Sequence, residues 1–309
     1  DGWNKYAAQS NDPMDHKAIT AWFRKNYGPK RPDTECIYCG YCNTGCPYGR
    51  KKAMPESFLA HATSDARSKP ARILDRAEAT EILLTEGANG KRIAHAVEIR
   101  LNGGKRTIRA RKGVVVAAGA LASSNLLYDS GILQSGSNIS LNIACPVVAL
   151  MPEGTEVNVW NEDQMATYVD RGDFLIESHF QPPMSMATLV PGWFEDHFER
   201  MKNYNRLVSD GVLFPADRLG YMDNGKLKLK IGEDELALLR RALATMTKVH
   251  FLNGAIKVYP ALLRGQTLTS DMSHADIDAF YEKAIVEPDD VVLSSSHPHG
   301  GNAINIDPH

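Results

Sequence analysis

The hydrophobic and polar pattern predicts a first strand over 79–85. After a turn at 87–90, Ile93, His95, Val97, Ile99 and Leu101 fall on one face of a second strand. Asn102, Gly103 and Gly104 then close a hairpin into 106–111. This spacing predicts a β-meander over 79–111. Val114, Val115, Val116, Ala117 and Ala118 follow as an unbroken apolar run, the signature of a strand buried on both faces. Gly119 and Ala120 end it before a helical stretch over 123–128. Shorter helical patterns are predicted at 18–23 and at 54–66, where Pro55 sits in the first turn and its missing N–H costs nothing.

Beyond Cys145 the pattern changes to longer mixed strands rich in aromatic and methionine residues, among them Trp160, Tyr168, Phe180, Met184, Met186, Trp193 and Phe194. A second domain is expected to start there. Leu236, Leu239, Leu243, Met246 and His250 recur at helical spacing over 233–251. Ser273 reads as the cap of another helix, whose apolar face is Ile277, Phe280 and Ala284. Such stripes are core positions in most proteins, although Phe180, Met184, Met186 and Trp193 would also suit a hydrophobic substrate pocket.

The 309 residues are 43% hydrophobic and 23% charged, with 35 Lys and Arg against 37 Asp and Glu. That balance excludes disorder and a coiled coil. It leaves no block of like charge to bind nucleic acid or an anionic membrane. No apolar run approaches the roughly 18 residues of a spanning helix. A soluble chain is therefore expected, with cytoplasm and periplasm both open to it. The sequence starts at Asp1 without a Met or a leader and stops at His309, so a portion of a longer polypeptide is expected.

Cysteine changes the picture. Four of the five fall within eleven residues, Cys36, Cys39, Cys42 and Cys46, and Pro47 follows the last. This C-x2-C-x2-C-x3-C-P spacing is that of bacterial iron–sulfur ligation. Thiolates three apart can converge on a four-iron cluster, and loop N–H groups can stabilise the sulfides. Zinc, disulfides and free thiols are the alternatives. A ligand set of Cys36, Cys39, Cys42 and Cys145 is a further one, since Cys145 also precedes a proline.

Three stretches together resemble the glucose-methanol-choline (GMC) family of flavin oxidoreductases. They are the cysteine loop running into Pro47-Tyr48-Gly49-Arg50-Lys51, the segment VVVAAGALASSNLLYDSGI at 114–132, and Ser294-Ser295-Ser296-His297-Pro298-His299-Gly300-Gly301-Asn302. The likeness is to those sugar and alcohol dehydrogenases of the family that carry an iron–sulfur cluster, and it favours Cys46 as the fourth ligand. It implies an α/β (α+β) architecture. An incomplete FAD-binding domain of the two-dinucleotide type would span 1–146, with the cysteine loop at 36–47 and the meander. A mixed or antiparallel substrate domain would span 147–288, and 289–309 would return to the flavin domain.

By the same resemblance His297 is the catalytic base, and Ala79, Thr80, Gly119, Ala120, His299 and Asn302 are cofactor contacts. The implied cofactors are FAD and a 4Fe-4S cluster. The implied partners are an alcohol, sugar or sterol substrate and an electron-accepting protein or quinone. No G-x-G-x-x-G occurs, and the family's final segment is missing. Another segment or chain is therefore expected to complete the FAD site. The implied activity is a dehydrogenase passing electrons out through the cluster. A non-catalytic electron-transfer or scaffold subunit, and a flavin oxidase without a cluster, are the alternatives.

Overall fold

The computed structural model describes residues 2–22, 39–51, 53–66, 68–157, 165 and 167–303, and among these twelve strands carry the architecture. In chain order they are β1 (Ile19–Trp22), β2 (Ala77–Glu86), β3 (Arg92–Leu101), β4 (Gly104–Arg109), β5 (Ile139–Leu150), β6 (Thr167–Asp170), β7 (Leu175–Ser178), β8 (Leu207–Asp223), β9 (Lys226–Leu229), β10 (Lys257–Pro260), β11 (Leu268–Thr269) and β12 (His299–Gly300). The fold is mixed α and antiparallel β, and it divides into two compact units. The first contains residues 1–51, 142–215 and 231–295; the second contains 52–141, 216–230 and 296–309.

In the first unit the strand order is β1-β6-β7-β8-β5-β10-β11. The 18–23 pattern, expected as a helix, is instead strand β1, antiparallel to β6 with Ile19 opposite Asp170. Ile19, Thr20 and Trp22 are β-branched or aromatic, and a partner edge is enough to decide so short a segment. Core packing joins Val148, Leu150, Met186, Val190, Leu207 and Tyr259.

The helix Glu233–Leu252 buries all five expected positions, Leu236, Leu239, Leu243, Met246 and His250. Its capping box comes from the Glu235 side chain, which accepts the Gly232 N–H at 2.8 Å. Ser273 caps the helix His274–Ala284 as expected, accepting from Asp276 N at 3.1 Å. The two helices share a buried hydrogen bond of 2.7 Å between the Thr247 and Tyr281 hydroxyls. Phe180 and Met186 are core, whereas Met184 and Trp193 are 86% and 84% exposed.

An ion network anchors the N-terminal segment of this unit. The Arg171 guanidinium binds both oxygens of Asp173 at 2.6 Å and also Asp12 and Asp15. Burial acts to raise the Asp15 carboxyl, but hydrogen bonds from Ser10 and Arg171 outweigh it and hold the group below its ordinary value.

In the second unit the meander forms as expected, β2-β3-β4, with Ile99 opposite Ala79 on one side and Arg106 on the other. β9 pairs with the 220–223 end of β8, and β12 pairs with the start of β5. The expected helix at 54–66 is a π-helical turn, Pro55–Leu59, leading into Ala60–Thr63. The 123–128 pattern becomes the helix Ala120–Asp129.

Val114–Ala118 corrects the expectation of a doubly buried strand. The run forms no regular element, and Val115 is 90% exposed. An apolar strand is buried on both faces only where neighbours flank it, and among the described residues none hydrogen-bonds to it as a strand.

Candidate functional site

Gly119 stands at the entry of the helix Ala120–Asp129 with φ +81°, a conformation that side chains rarely adopt. No side chain caps this helix, and nothing lies within 4 Å of where a Cβ on Gly119 would stand. One turn in, the fully buried Ser124 donates to Ala120 O at 2.7 Å and accepts from the Asn302 amide at 3.0 Å. Ser135 donates to the other end of that amide at 2.5 Å. Asn302 is thereby clamped between two serines, and through Ser124 it is tied to the helix that Gly119 opens.

The glycines before Asn302 make this possible. Gly301 has φ +79°, its carbonyl accepts from Gly136 N at 2.7 Å, and a Cβ there would lie 2.6 Å from Ser124 Oγ and 3.1 Å from Ile139 Cγ1. A Cβ on Gly300 would meet Asn138 O at 2.7 Å. We therefore expect Gly301→Ala to cost about 1–3 kcal/mol of stability, through positive-φ strain and the collision with Ser124. Thermal unfolding against a Ser137→Ala control reads the effect.

Beside Asn302 opens a recess of about 700 Å³, within the size range of small-molecule sites. Gln134, Ser137, Asn138, Asp217, Arg218 and Asn302 are on its walls. Its polarity is ordered, since Ser140 donates to Asp217 at 2.7 Å and accepts the Arg218 N–H at 2.9 Å. Such a wall suits a ligand rich in hydroxyl and amide groups.

His299 lies on β12 opposite Ser140. It is exposed, and its Nδ1 is 2.9 Å from the carbonyl oxygen of the exposed His297. The structure thus gathers Asn302, His299 and the helix entry at Gly119 and Ala120 in one unit. Ala79 and Thr80 lie apart from this clamp, at a bulge in β2 where the Thr80 hydroxyl contacts the Glu98 carbonyl oxygen at 3.3 Å. The meander does reach the same helix, because Ile82 N donates to Ser130 Oγ at 2.8 Å. Ser124, Ser135, Asp217 and Arg218 were not expected from sequence. A serine one turn inside the helix that follows Gly119 is the one local sign that pointed to them.

The cysteine loop lends the expected cluster no support. Cys36 lies outside the described residues. Cys39, Cys42 and Cys46 do not converge, and among the described residues no three His, Cys, Asp or Glu side chains are grouped to hold a metal. These thiols form no disulfide. The described part of the loop therefore does not fit a cluster. The Cys46 thiol lies below its ordinary value, chiefly because the Arg50 N–H stands 3.3 Å from its sulfur. Cys145 is fully buried in β5, and burial pushes its thiol up to about 12.

Comparison with a family model covers two of the three motif stretches, the cysteine loop and 114–132. Residues 20–146 match the family model described as GMC oxidoreductase. Two relatives from Arabidopsis thaliana align with the chain. Long-chain-alcohol oxidase FAO1 is 24% identical over 295 residues, covering 86% of this chain and 38% of that protein. Long-chain-alcohol oxidase FAO4A is 23% identical over 272 residues, covering 81% and 37%. The chain thus spans less than two fifths of either relative.

Among solved structures, pyridoxine 4-oxidase from Mesorbium loti superposes with a TM-score of 0.46 at 14% identity, covering 75% of this chain and 48% of that one. Formate oxidase from Aspergillus oryzae RIB40 gives 0.45 at 11%, covering 73% and 50%.

Proposed function

We propose that this chain, whose residues 20–146 belong to the GMC oxidoreductase family, is part of an FAD-dependent enzyme that oxidises the hydroxyl of an aliphatic alcohol and passes the electrons to oxygen. The observation that carries the reading is the clamp on Asn302. It ties the His-Pro-x-Gly-Gly segment to the helix that Gly119 opens, and Asn302 and Ser135 also line a polar recess. The helix entry with its uncapped N–H groups suits a diphosphate, and the recess suits the hydroxyls and amides of the cofactor.

Bound FAD supplies the hydride acceptor for this chemistry. The chain's own part is to orient the alcohol and take its proton. In this reading the His297 imidazole accepts the hydroxyl proton as the carbinol C–H bond breaks, leaving an aldehyde or ketone. The His299 contact to the His297 carbonyl and the Asn302 clamp hold the backbone on either side, so the base needs little reorganisation.

Oxygen is preferred as acceptor because both aligned relatives are named alcohol oxidases and the described cysteines do not assemble as ligands. A dehydrogenase that passes electrons through a cluster in the 36–46 loop is the second reading, favoured by the lowered Cys46 thiol. One experiment separates the two. Full-length protein supplied with 1-dodecanol in air should release about one hydrogen peroxide per aldehyde formed and contain no stoichiometric iron. Turnover that needs a quinone or cytochrome, together with roughly four irons per chain, would reverse the preference.

A further inference from the structure

We propose that Asp217 and Arg218 make the recess beside Asn302 a site for vicinal hydroxyls, the carboxylate accepting from one hydroxyl and the guanidinium donating to the next. The polyol part of bound FAD is the first source of such a ligand, and that assignment rests on the proposed function. A free polyol is the second source.

All the residues that line the recess belong to the second unit. Asp217 and Arg218 are its charged lining residues, one of each sign. An anionic group would meet the Asp217 carboxylate there and a cation would meet Arg218, whereas a neutral ligand rich in hydroxyls meets no repulsion. In this assignment the diphosphate stays at the helix entry by Gly119.

One buried hydroxyl sets both groups in place. Ser140 is 6% exposed; it donates to one Asp217 oxygen at 2.7 Å and accepts the Arg218 N–H at 2.9 Å. The other Asp217 oxygen and the Arg218 guanidinium have no hydrogen-bond or ion-pair partner among the described residues. Arg218 also has φ +59°, which residues other than glycine rarely adopt. Strain of this kind persists where the surroundings over-determine it, and it collects at ligand sites.

The rest of the lining suits the same ligand. Gln134 and Asn138 add two side-chain amides, and Leu127 and Ile132 add apolar surface. A polyol presents both hydroxyls and C–H groups, so it uses donors, acceptors and apolar contact together.

The test titrates full-length apoprotein with FAD and with lumiflavin, which has the flavin ring and no hydroxyl chain, and reads flavin fluorescence. Asp217→Asn keeps an oxygen for Ser140 but loses the charge, and Arg218→Gln loses the cation. Both residues are exposed, so these variants should fold, and circular dichroism checks that they do. Each should weaken FAD about tenfold or more, the worth of a charge-assisted hydrogen bond, and leave lumiflavin unchanged. Calorimetry of the FAD-loaded protein with ribitol tests the second source: binding that Asp217→Asn abolishes assigns the recess to a free polyol. The proposal is overturned if the variants bind FAD as the parent does and the loaded protein takes up no ribitol, or if lumiflavin is weakened as much as FAD. A parent that binds no FAD would end the flavin reading instead. The hydroxyl site would then stand if ribitol binds the parent and not Asp217→Asn, and fall if it does not.

Discussion

Replacing His297 by Asn in the full-length protein should slow alcohol oxidation by about a hundredfold or more, the ordinary worth of a general base, with FAD still bound. Asn preserves polarity and approximate size but cannot take up a proton, so binding should survive while the chemical step fails. The flavin spectrum reports binding, and stopped-flow reduction under anaerobic conditions reports the step. His297 is exposed at the start of the segment that Ser124 and Ser135 clamp through Asn302. Truncating its ring therefore leaves those supports in place. Normal flavin reduction in the variant would remove His297 from the reaction and shift attention to His299, two residues away on β12.

A second large effect is expected from Arg171→Met, which should cost about 3–5 kcal/mol of stability at neutral pH. The Arg171 and Asp15 side chains are each only 2% exposed. Removing the cation therefore strands a carboxylate where water cannot compensate it. The pH dependence gives this away. In the parent, Asp15 titrates below its ordinary value, so its contribution is complete above about pH 4 and is lost as pH falls through the lowered folded pKa. In the variant, burial is left without the guanidinium to oppose it, the carboxyl moves up, and protonation relieves the penalty. Urea unfolding should show the gap between the two proteins shrinking as the pH is taken from 7 to 3. A gap independent of pH would mean that Arg171 contributes packing rather than charge.

Parts of this molecule are legible from local spacing. The helix Glu233–Leu252 buries the positions its sequence marks, because a period of 3.6 brings them to one side, although the structure buries all of 242–248. The meander from β2 to β4 is equally plain, since Asn102 and Gly103, both at positive φ, force the turn between β3 and β4. The Ser273 cap is local as well. In each case the chemistry that decides the element lies within a few residues of it.

Other features follow from partners far along the chain. The 18–23 segment is a strand because β6, about 150 residues later, offers an edge to Ile19–Trp22. Val114–Ala118 has the composition of a buried strand, yet among the described residues nothing flanks it, so composition alone does not bury it. Cysteine spacing suggested convergence, but spacing along a chain does not orient side chains, and Cys39, Cys42 and Cys46 do not gather.

The sequence by itself determined the helices Glu233–Leu252 and His274–Ala284, the meander and the family likeness, since all of these are written in neighbouring residues. Only the tertiary structure decided that Ser135 and Ser124 hold Asn302 across 167 and 178 residues. A serine hydroxyl has no periodicity and no preferred neighbour; what it binds is set by the chain folding back on itself.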